Sequence, residues 1–532
     1  MFDEFVEHAA APAGHIAHGA APPPFQYQGF EPSPYEAEDA ADAGSAEFDG
    51  PLLDPAAVVA PVFELARVQY TFPAPLVTLV VSSDVLAMAL SSNIIVLIEL
   101  SHADQVVKVQ IPRKPQELSI HKIFMDPSGR HIIVTSSQGE NWYLFRGWKK
   151  PRQLKTFKMV IESIAWNKPA LLSSSHSTST REMLIGAKNG TIYEAVLDAE
   201  EDFFKSQERY LQSVFTLPER HPITGMEFAF FPPGDVKKAL VIVTTPSRIY
   251  QFIGAPDKRS EDGGRVFSGL FSSYRDTPPK ILELPGNTQQ SELHLYTENA
   301  DQVHSLPRSI AWMTGPGIYH GNLNFDSTSD DLIDSAQLLP YPSLTTSSSP
   351  EVVSADIPIS IGSTEFHFTL VYKDRVVGVC NLNDQLTYEE SLPLKPNEEV
   401  KGMTADPVRK TYWVYTDQSL FELMVGNEDR DVWNVFLEKQ KFDVALRYAK
   451  TAGQRDRVLR GQADAYFAEG RHYQAAQCYA QCSAPFEEVV LKFLDAKERD
   501  SLRAYLISRL ERTRKTVRPC FSHHLKYTSS RH

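Results

Sequence analysis

A strand–turn unit that recurs along the chain limits its fold more than any other feature, and its clearest copy runs from Ile120 to Lys150. Ile120, Ile123 and Met125 lead into Asp126-Pro127-Ser128-Gly129, a β-branched run spans His131 to Thr135, and Gly139-Glu140-Asn141 turns into Trp142-Tyr143-Leu144-Phe145. This reads as three antiparallel strands joined by tight turns. Alone, such a meander has unpaired edges and apolar surface to bury, so it needs similar units stacked against it.

Copies occur on both sides. Leu76–Val81, Val85–Leu90, Ile94–Leu100 and Val106–Ile111 make a first unit. A third runs through Val160–Trp166, Met183–Gly186 and Ile192–Val196, with the hairpin step Asn189-Gly190 inside it. Ile223–Phe231, Ala239–Thr244 and Ile249–Ile253 make a fourth. Strands resume at Ser309–Trp312, then at Phe366–Tyr372 with Val376–Cys380, and last at Val400–Thr404, Thr411–Thr416 and Leu420–Val425. The expected architecture is an all-β propeller over residues 62–428, with six or seven blades, a long inter-blade insertion near 254–307 and a loop over Asp326–Ser354.

At Asp431 the apolar period changes from two to three or four. Val432, Val435, Phe436, Phe442, Ala445 and Tyr448 predict one helix over Asp431–Lys450 that Gly453 stops; Arg455–Glu469, His472–Gln481, Ala484–Lys497 and Ser501–Arg512 follow. Short helices with short breaks predict the start of an α-solenoid over 429–512, with Tyr466, Phe467 and Tyr479 packing against small residues.

The ends are compositionally distinct. Residues 1–61 are acidic and rich in Ala and Pro, with no Lys or Arg before position 61, and they read as disordered. Residues 513–532 carry basic residues and no acidic ones. They read as a departure from the reading frame or as unspliced sequence, in preference to a basic tail for lipid or nucleic acid. A formal net charge of −14 argues against general nucleic-acid binding. The longest apolar runs have strand length, well short of a bilayer span, and four cysteines in 532 residues make no disulfide framework, so a cytoplasmic, reduced protein is expected.

The sequence offers little catalytic chemistry. No phosphate-binding glycine loop, zinc-protease helix motif or nucleophile elbow is present, and no repeated set of acids and bases opens the blades. Cys478 and Cys482 share a predicted helix near His472, yet read as small apolar residues on a buried face; Cys520 and His523 have metal-like spacing without further ligands. His121 and His131 read as blade-surface or core histidines, Lys149, Lys150 and Arg152 as a solvated turn, and Asn189-Gly190-Thr191 as a hairpin in preference to a glycosylation acceptor. No catalytic, cofactor-binding or metal residue is assigned.

Several separated blocks carry a specific resemblance. Met125–Asn167, Leu184–Asp198, Leu270–Tyr296 and Phe442–Lys492 are similar to the deep orange family, the class C vacuolar protein sorting subunits of the HOPS and CORVET tethering complexes, and the likeness covers roughly Val62–Arg512. It implies a non-enzymatic scaffold subunit without cofactors. The implied partners are the other class C vacuolar sorting subunits, with Rab-type GTPases and SNAREs reached indirectly through the complex. The implied location is cytoplasmic, peripheral on late endosome and vacuole or lysosome membranes. Family members continue to a RING-type zinc domain; this sequence has no Cys-x-x-Cys pair, so a ubiquitin-ligase role is not carried over. The propeller-then-solenoid order also suits a vesicle-coat or nuclear-pore component, and less well a propeller hydrolase.

Overall fold

The computed structural model describes residues 61–174, 177–200, 207–260, 263–285, 290–326, 331–342 and 357–512. The acidic segment expected to be disordered, the basic tail, Cys520 and His523 lie outside the described residues.

Seven four-stranded antiparallel sheets follow one another, so the propeller has seven blades. With strands lettered A to D from the inside outwards, blade 1 is Leu76–Ser82, Val85–Leu90, Ile94–Glu99 and Val106–Gln110. Blade 2 is Ile120–Met125, His131–Ser136, Asn141–Phe145 and Arg152–Leu154. Blade 3 is Ile161–Ala165, Met183–Ala187, Thr191–Leu197 and Glu208–Thr216. Blade 4 is Gly225–Phe231, Lys238–Thr244, Arg248–Gly254 and Lys280–Glu283. Blade 5 is Glu292–Tyr296, Ser309–Met313, Ile318–Leu323 and Ile333–Leu339. Blade 6 is Ser360–Ser363, His367–Val371, Arg375–Cys380 and Leu386–Ser391.

Blade 7 takes strands A to C from Val400–Ala405, Tyr412–Thr416 and Leu420–Val425, and strand D from the other end of the domain, Phe63–Val68. Phe63 pairs with Val425 and Val68 with Leu420, so the ring closes by hydrogen bonds between sequence-distant strands. Phe63 itself is buried, its ring edge-on to His367 at 5.3 Å and Tyr388 at 5.5 Å in blade 6. The strand A residues of successive blades abut one another around the ring. Apolar layers fill the spaces between blades: Val85, Ala87 and Ile95 of blade 1, for example, meet Ile123, Ile132 and Val134 of blade 2.

The A–B turns show how local sequence sets the blade. In blade 2 the Asp126 carboxylate accepts from the backbone N–H groups of Ser128 at 3.0 Å, Arg130 at 2.7 Å and His131 at 2.6 Å, and Gly129 takes a φ of +68°. Blade 7 repeats the device: Asp406 accepts from Val408 at 2.8 Å and Arg409 at 3.0 Å, and also from the Asp84 N–H of blade 1 at 3.2 Å.

Segment 254–307 differs from expectation. It supplies strand D of blade 4 and strand A of blade 5, and the described residues ahead of strand D form a C–D connection folded back against blade 3. There Phe267, Leu270 and Phe271 are buried, the last two within a short helix, Ser268–Ser272, and Phe271 packs on Phe252 at 5.0 Å. The Glu194 carboxylate of blade 3 accepts the N–H of Val266 at 2.7 Å, and Arg259 Nε donates to the buried Glu182 at 2.9 Å. Aromatic contacts and buried polar pairing, invisible to strand periodicity, hold this connection in place. Strands Ile318–Leu323 and Ile333–Leu339 likewise occupy sequence that carried little strand signal, the latter inside the expected Asp326–Ser354 loop.

Beyond Val425 the chain is helical. The single helix expected over Asp431–Lys450 is two, Val432–Glu438 and Phe442–Tyr448, parted where Gln440 takes a φ of +55°. Gly453 ends nothing; it is the second residue of Ala452–Ala468, which starts at a capping box of Thr451 and Gln454. His472–Tyr479, Phe486–Asp495 and a helix over 499–512 complete the described region.

Candidate interaction surfaces

The seat between propeller and helices is built on Glu428, three residues past the last blade strand. Its carboxylate accepts from the Thr364 hydroxyl at 2.6 Å and the Phe366 N–H at 3.2 Å, and lies 3.5 Å from His367 Nδ1. Burial alone would raise its pKa; the His367 and Thr364 contacts outweigh burial and lower it. Beside it Glu365 is raised, by burial and by Glu428, although Arg308 lies 3.5 Å away. Phe366 stands edge-on to Tyr448 at 5.5 Å, Tyr448 stacks on Phe436 at 5.8 Å, and Lys439 Nζ donates to the Leu382 carbonyl. The helices therefore leave from the end of the propeller that carries the A–B and C–D turns.

In the helical region Ala463, Ala475, Ala476, Tyr479, Val489, Phe493 and Tyr505 form one buried cluster. Lys492 Nζ donates to Asp464 at 2.9 Å and the Tyr479 hydroxyl also donates to that carboxylate, tying three helices with one charged group. Asp464 is held below its ordinary pKa; burial opposes this, and the Lys492 and Tyr479 hydrogen bonds prevail. Cys482 is buried and Cys478 half-buried; their thiols contact the Tyr479 carbonyl at 3.5 Å and Gln462 at 3.8 Å. Burial raises both thiol pKa values, which disfavours the thiolate needed for metal ligation. His472 packs edge-on against Phe467 at 4.8 Å. The opposite surface keeps Leu491, Leu494, Ile507 and Leu510 exposed.

The two histidines of the Ile120–Lys150 unit have different surroundings. His121 Nε2 lies 3.1 Å from Glu162 of blade 3, which also receives Lys122 Nζ at 2.9 Å. Burial pushes the Glu162 pKa up, but the His121 and Lys122 contacts win and bring it to about 2. His131 is fully buried, with Nδ1 at 2.7 Å from the Tyr143 hydroxyl and Nε2 unpartnered, and burial lowers its pKa to about 4. Arg152 lies over the Trp148 ring at 4.4 Å, while Lys149 and Lys150 are exposed on the same C–D turn. At Asn189-Gly190-Thr191 the Asn189 side chain accepts from Thr191 N–H at 3.2 Å and Gly190 takes a φ of +76°, as a tight hairpin requires.

Two carboxyl groups stand out that the sequence did not single out. Glu194 and Glu227 are both raised to about 7, first by burial. Each sits mid-strand among apolar residues, so only its unexpected charge there could have flagged it. A groove of about 560 Å³ lies against strand D of blade 3, lined by Phe215, Pro218, Tyr250, Tyr274, Pro279 and Ile281. Neither carboxyl group lines it. Among the described residues no group of three or more His, Cys, Asp or Glu side chains is arranged to hold a metal ion, and no helix is long and apolar enough to cross a membrane.

Comparison with known proteins agrees with this architecture. Residues 61–425 match the Pep3/Vps18/deep orange beta-propeller domain and residues 430–523 the first half of the VPS18 alpha-solenoid domain. The vacuolar protein sorting-associated protein 18 homolog of Danio rerio is 34% identical over 463 residues, 85% of this chain and 45% of the relative. Vacuolar sorting protein 18 of Arabidopsis thaliana is 30% identical over 413 residues, 74% and 39% respectively. The vacuolar membrane protein pep3 of Schizosaccharomyces pombe is 28% identical over 491 residues, 91% and 51%. The chain thus spans about half the length of the curated relatives it matches. With the propeller match covering most of the chain and the solenoid match adjoining it at the Glu428 seat, the chain belongs to the Pep3/Vps18/deep orange family.

Proposed function

We propose that this chain is a non-enzymatic scaffold subunit of an endosomal and vacuolar membrane-tethering complex of the HOPS and CORVET type, supporting vesicle docking, fusion and protein transport to the vacuole or lysosome. The observation that carries this is the family match running through both the propeller and the first solenoid half without a break in architecture. The relatives' names, with vacuolar sorting in two and vacuolar membrane in the third, favour the compartment. A scaffold reading also suits the buried acids and bases, which join blades to one another and to the helices.

Its partners are the other class C vacuolar sorting subunits, and Rab-type GTPases and SNAREs join through them. Attachment to late endosome and vacuole membranes is peripheral, from the cytoplasmic side. The test is affinity purification of the tagged chain from cells. Class C subunits should co-purify, and Rab and SNARE proteins should be lost when those subunits are depleted. Recovery of coat or nuclear-pore proteins in their place would overturn the assignment.

A further inference from the structure

The helices leave the propeller from its A–B/C–D end, so among the described residues no helix covers the opposite end, made of B–C turns and D–A connections. Across blades 1 to 3 these loops form one arc linked by backbone hydrogen bonds. Ser137 N–H of blade 2 donates to Ser119 O of blade 1 at 3.0 Å, and Lys188 N–H of blade 3 to Val160 O of blade 2 at 3.0 Å. Leu217 N–H then donates to Gly190 O at 2.8 Å within blade 3. Residues 111–119, 137–140, 155–160, 188–190 and 217–224 contain six Lys or Arg and three Glu, a local positive excess in a chain of net charge −14.

Pairing sharpens that excess. Two of the acids are occupied, Glu140 by Arg113 at 3.3 Å and Glu219 by Arg248 and by the Tyr250 hydroxyl at 3.0 Å. Glu117 is exposed. Lys114, Lys158, Lys188 and Arg220 are exposed too, and their side chains make no ion pair or hydrogen bond with the described residues. The large apolar side chains exposed among the described residues all lie outside these loops. A stable protein interface has an apolar, lysine-poor core; this arc carries exposed cations on its turns and no exposed large apolar side chain. That chemistry suits a diffuse, negatively charged plane.

We propose that this arc, centred on Lys114, Lys158, Lys188 and Arg220, is an electrostatic contact for an anionic phospholipid surface. It deepens the peripheral-membrane reading above and rests on it: the helices leave at one end of the propeller, and the other end faces the headgroups. Basic residues close to an anionic leaflet add up, and their attraction is screened within a Debye length.

The test uses the whole chain in a sedimentation assay with phosphatidylcholine vesicles, with or without phosphatidylserine at roughly one lipid in five. Binding should require phosphatidylserine and fall steeply with salt. The variant Lys114→Glu, Lys158→Glu, Lys188→Glu, Arg220→Glu should bind on the order of a hundredfold more weakly. A control with the same charge change away from that end, Lys150→Glu, Lys441→Glu, Arg457→Glu, Arg499→Glu, should stay within a few-fold of the parent. All eight positions are exposed, and unchanged thermal melts would verify folding.

Equal losses in the two variants, or no binding by the parent, would overturn the proposal. So would an arc variant that keeps vesicle binding but loses an acidic protein from the affinity purification, since the arc would then be a protein contact. Co-purification of class C subunits is read separately. If it persists while vesicle binding is absent, the lipid contact fails and the tethering role stands; if it is absent while the arc still selects phosphatidylserine, the reverse holds.

Discussion

At the residue scale the sharpest test is Glu162, whose pKa of about 2 lies below the ordinary carboxylate value of 4.5. A depressed carboxyl pKa stabilises the fold above the unfolded value, and that contribution is lost as pH falls through the folded one. Glu162→Gln should therefore cost about 1–3 kcal/mol in denaturant unfolding near neutral pH, with the gap from the parent shrinking between pH 4.5 and 2. An unchanged gap across that window would mean that the cost does not come from the charge pair with His121 and Lys122. His121 was visible in the sequence as a histidine of the second unit. Its partner was not, because Glu162 lies 41 positions away and only the packing of blade 2 on blade 3 brings the two together. Glu182, Glu194 and Glu428 were hidden for the same reason: each holds a loop or strand distant in sequence.

At the element scale, legibility follows burial. The A, B and C strands of blades 1 to 4 stood out because both faces lie in packed interblade layers, as in Val85–Leu90, where every residue is buried. Outermost strands after that of blade 1, whose Val106–Gln110 kept its β-branched run, were harder to see. Leu386–Ser391 and Lys280–Glu283 are mostly exposed, so little apolar alternation remains in LTYEES or KILE. Phe63–Val68 was missed for another reason, since nothing local says that it pairs with Leu420–Val425. Its role gives a clear expectation: Phe63→Ala removes a buried ring between blades 6 and 7 and should cost about 3–5 kcal/mol. Hydrogen exchange should then quicken first in blade 7, where the ring closes. In the helices, Phe467 is only half-buried, between His472 at 4.8 Å and Phe493 at 5.4 Å. Phe467→Ala is expected to cost about 2–3 kcal/mol, less than a fully buried phenylalanine, in unfolding followed by helical circular dichroism.

At the scale of the whole molecule, the two parts balance their apolar surface differently. The propeller satisfies itself: blade faces pack on neighbours, and the Phe63–Val68 strand removes the seam that an open ring would leave. The helical part does not reach that balance within the described residues. Its inner side is closed around Tyr479, Phe493 and Tyr505, yet Leu491, Leu494, Ile507 and Leu510 on the last two helices are between 48% and 58% exposed. A repeat buries its outer face against the next repeat, so this surface is where further helices or another chain would stack. The purified 532-residue chain should therefore self-associate as concentration rises, seen as a growing mass in light scattering coupled to size exclusion. Leu494→Glu with Leu510→Glu should abolish that growth while leaving the propeller's melting transition in place, because neither residue contacts a blade cluster. Growth that persists in the double variant would move the sticky surface to the propeller, where Val106, Val107 and Leu386 on the outermost strands are the next exposed apolar groups.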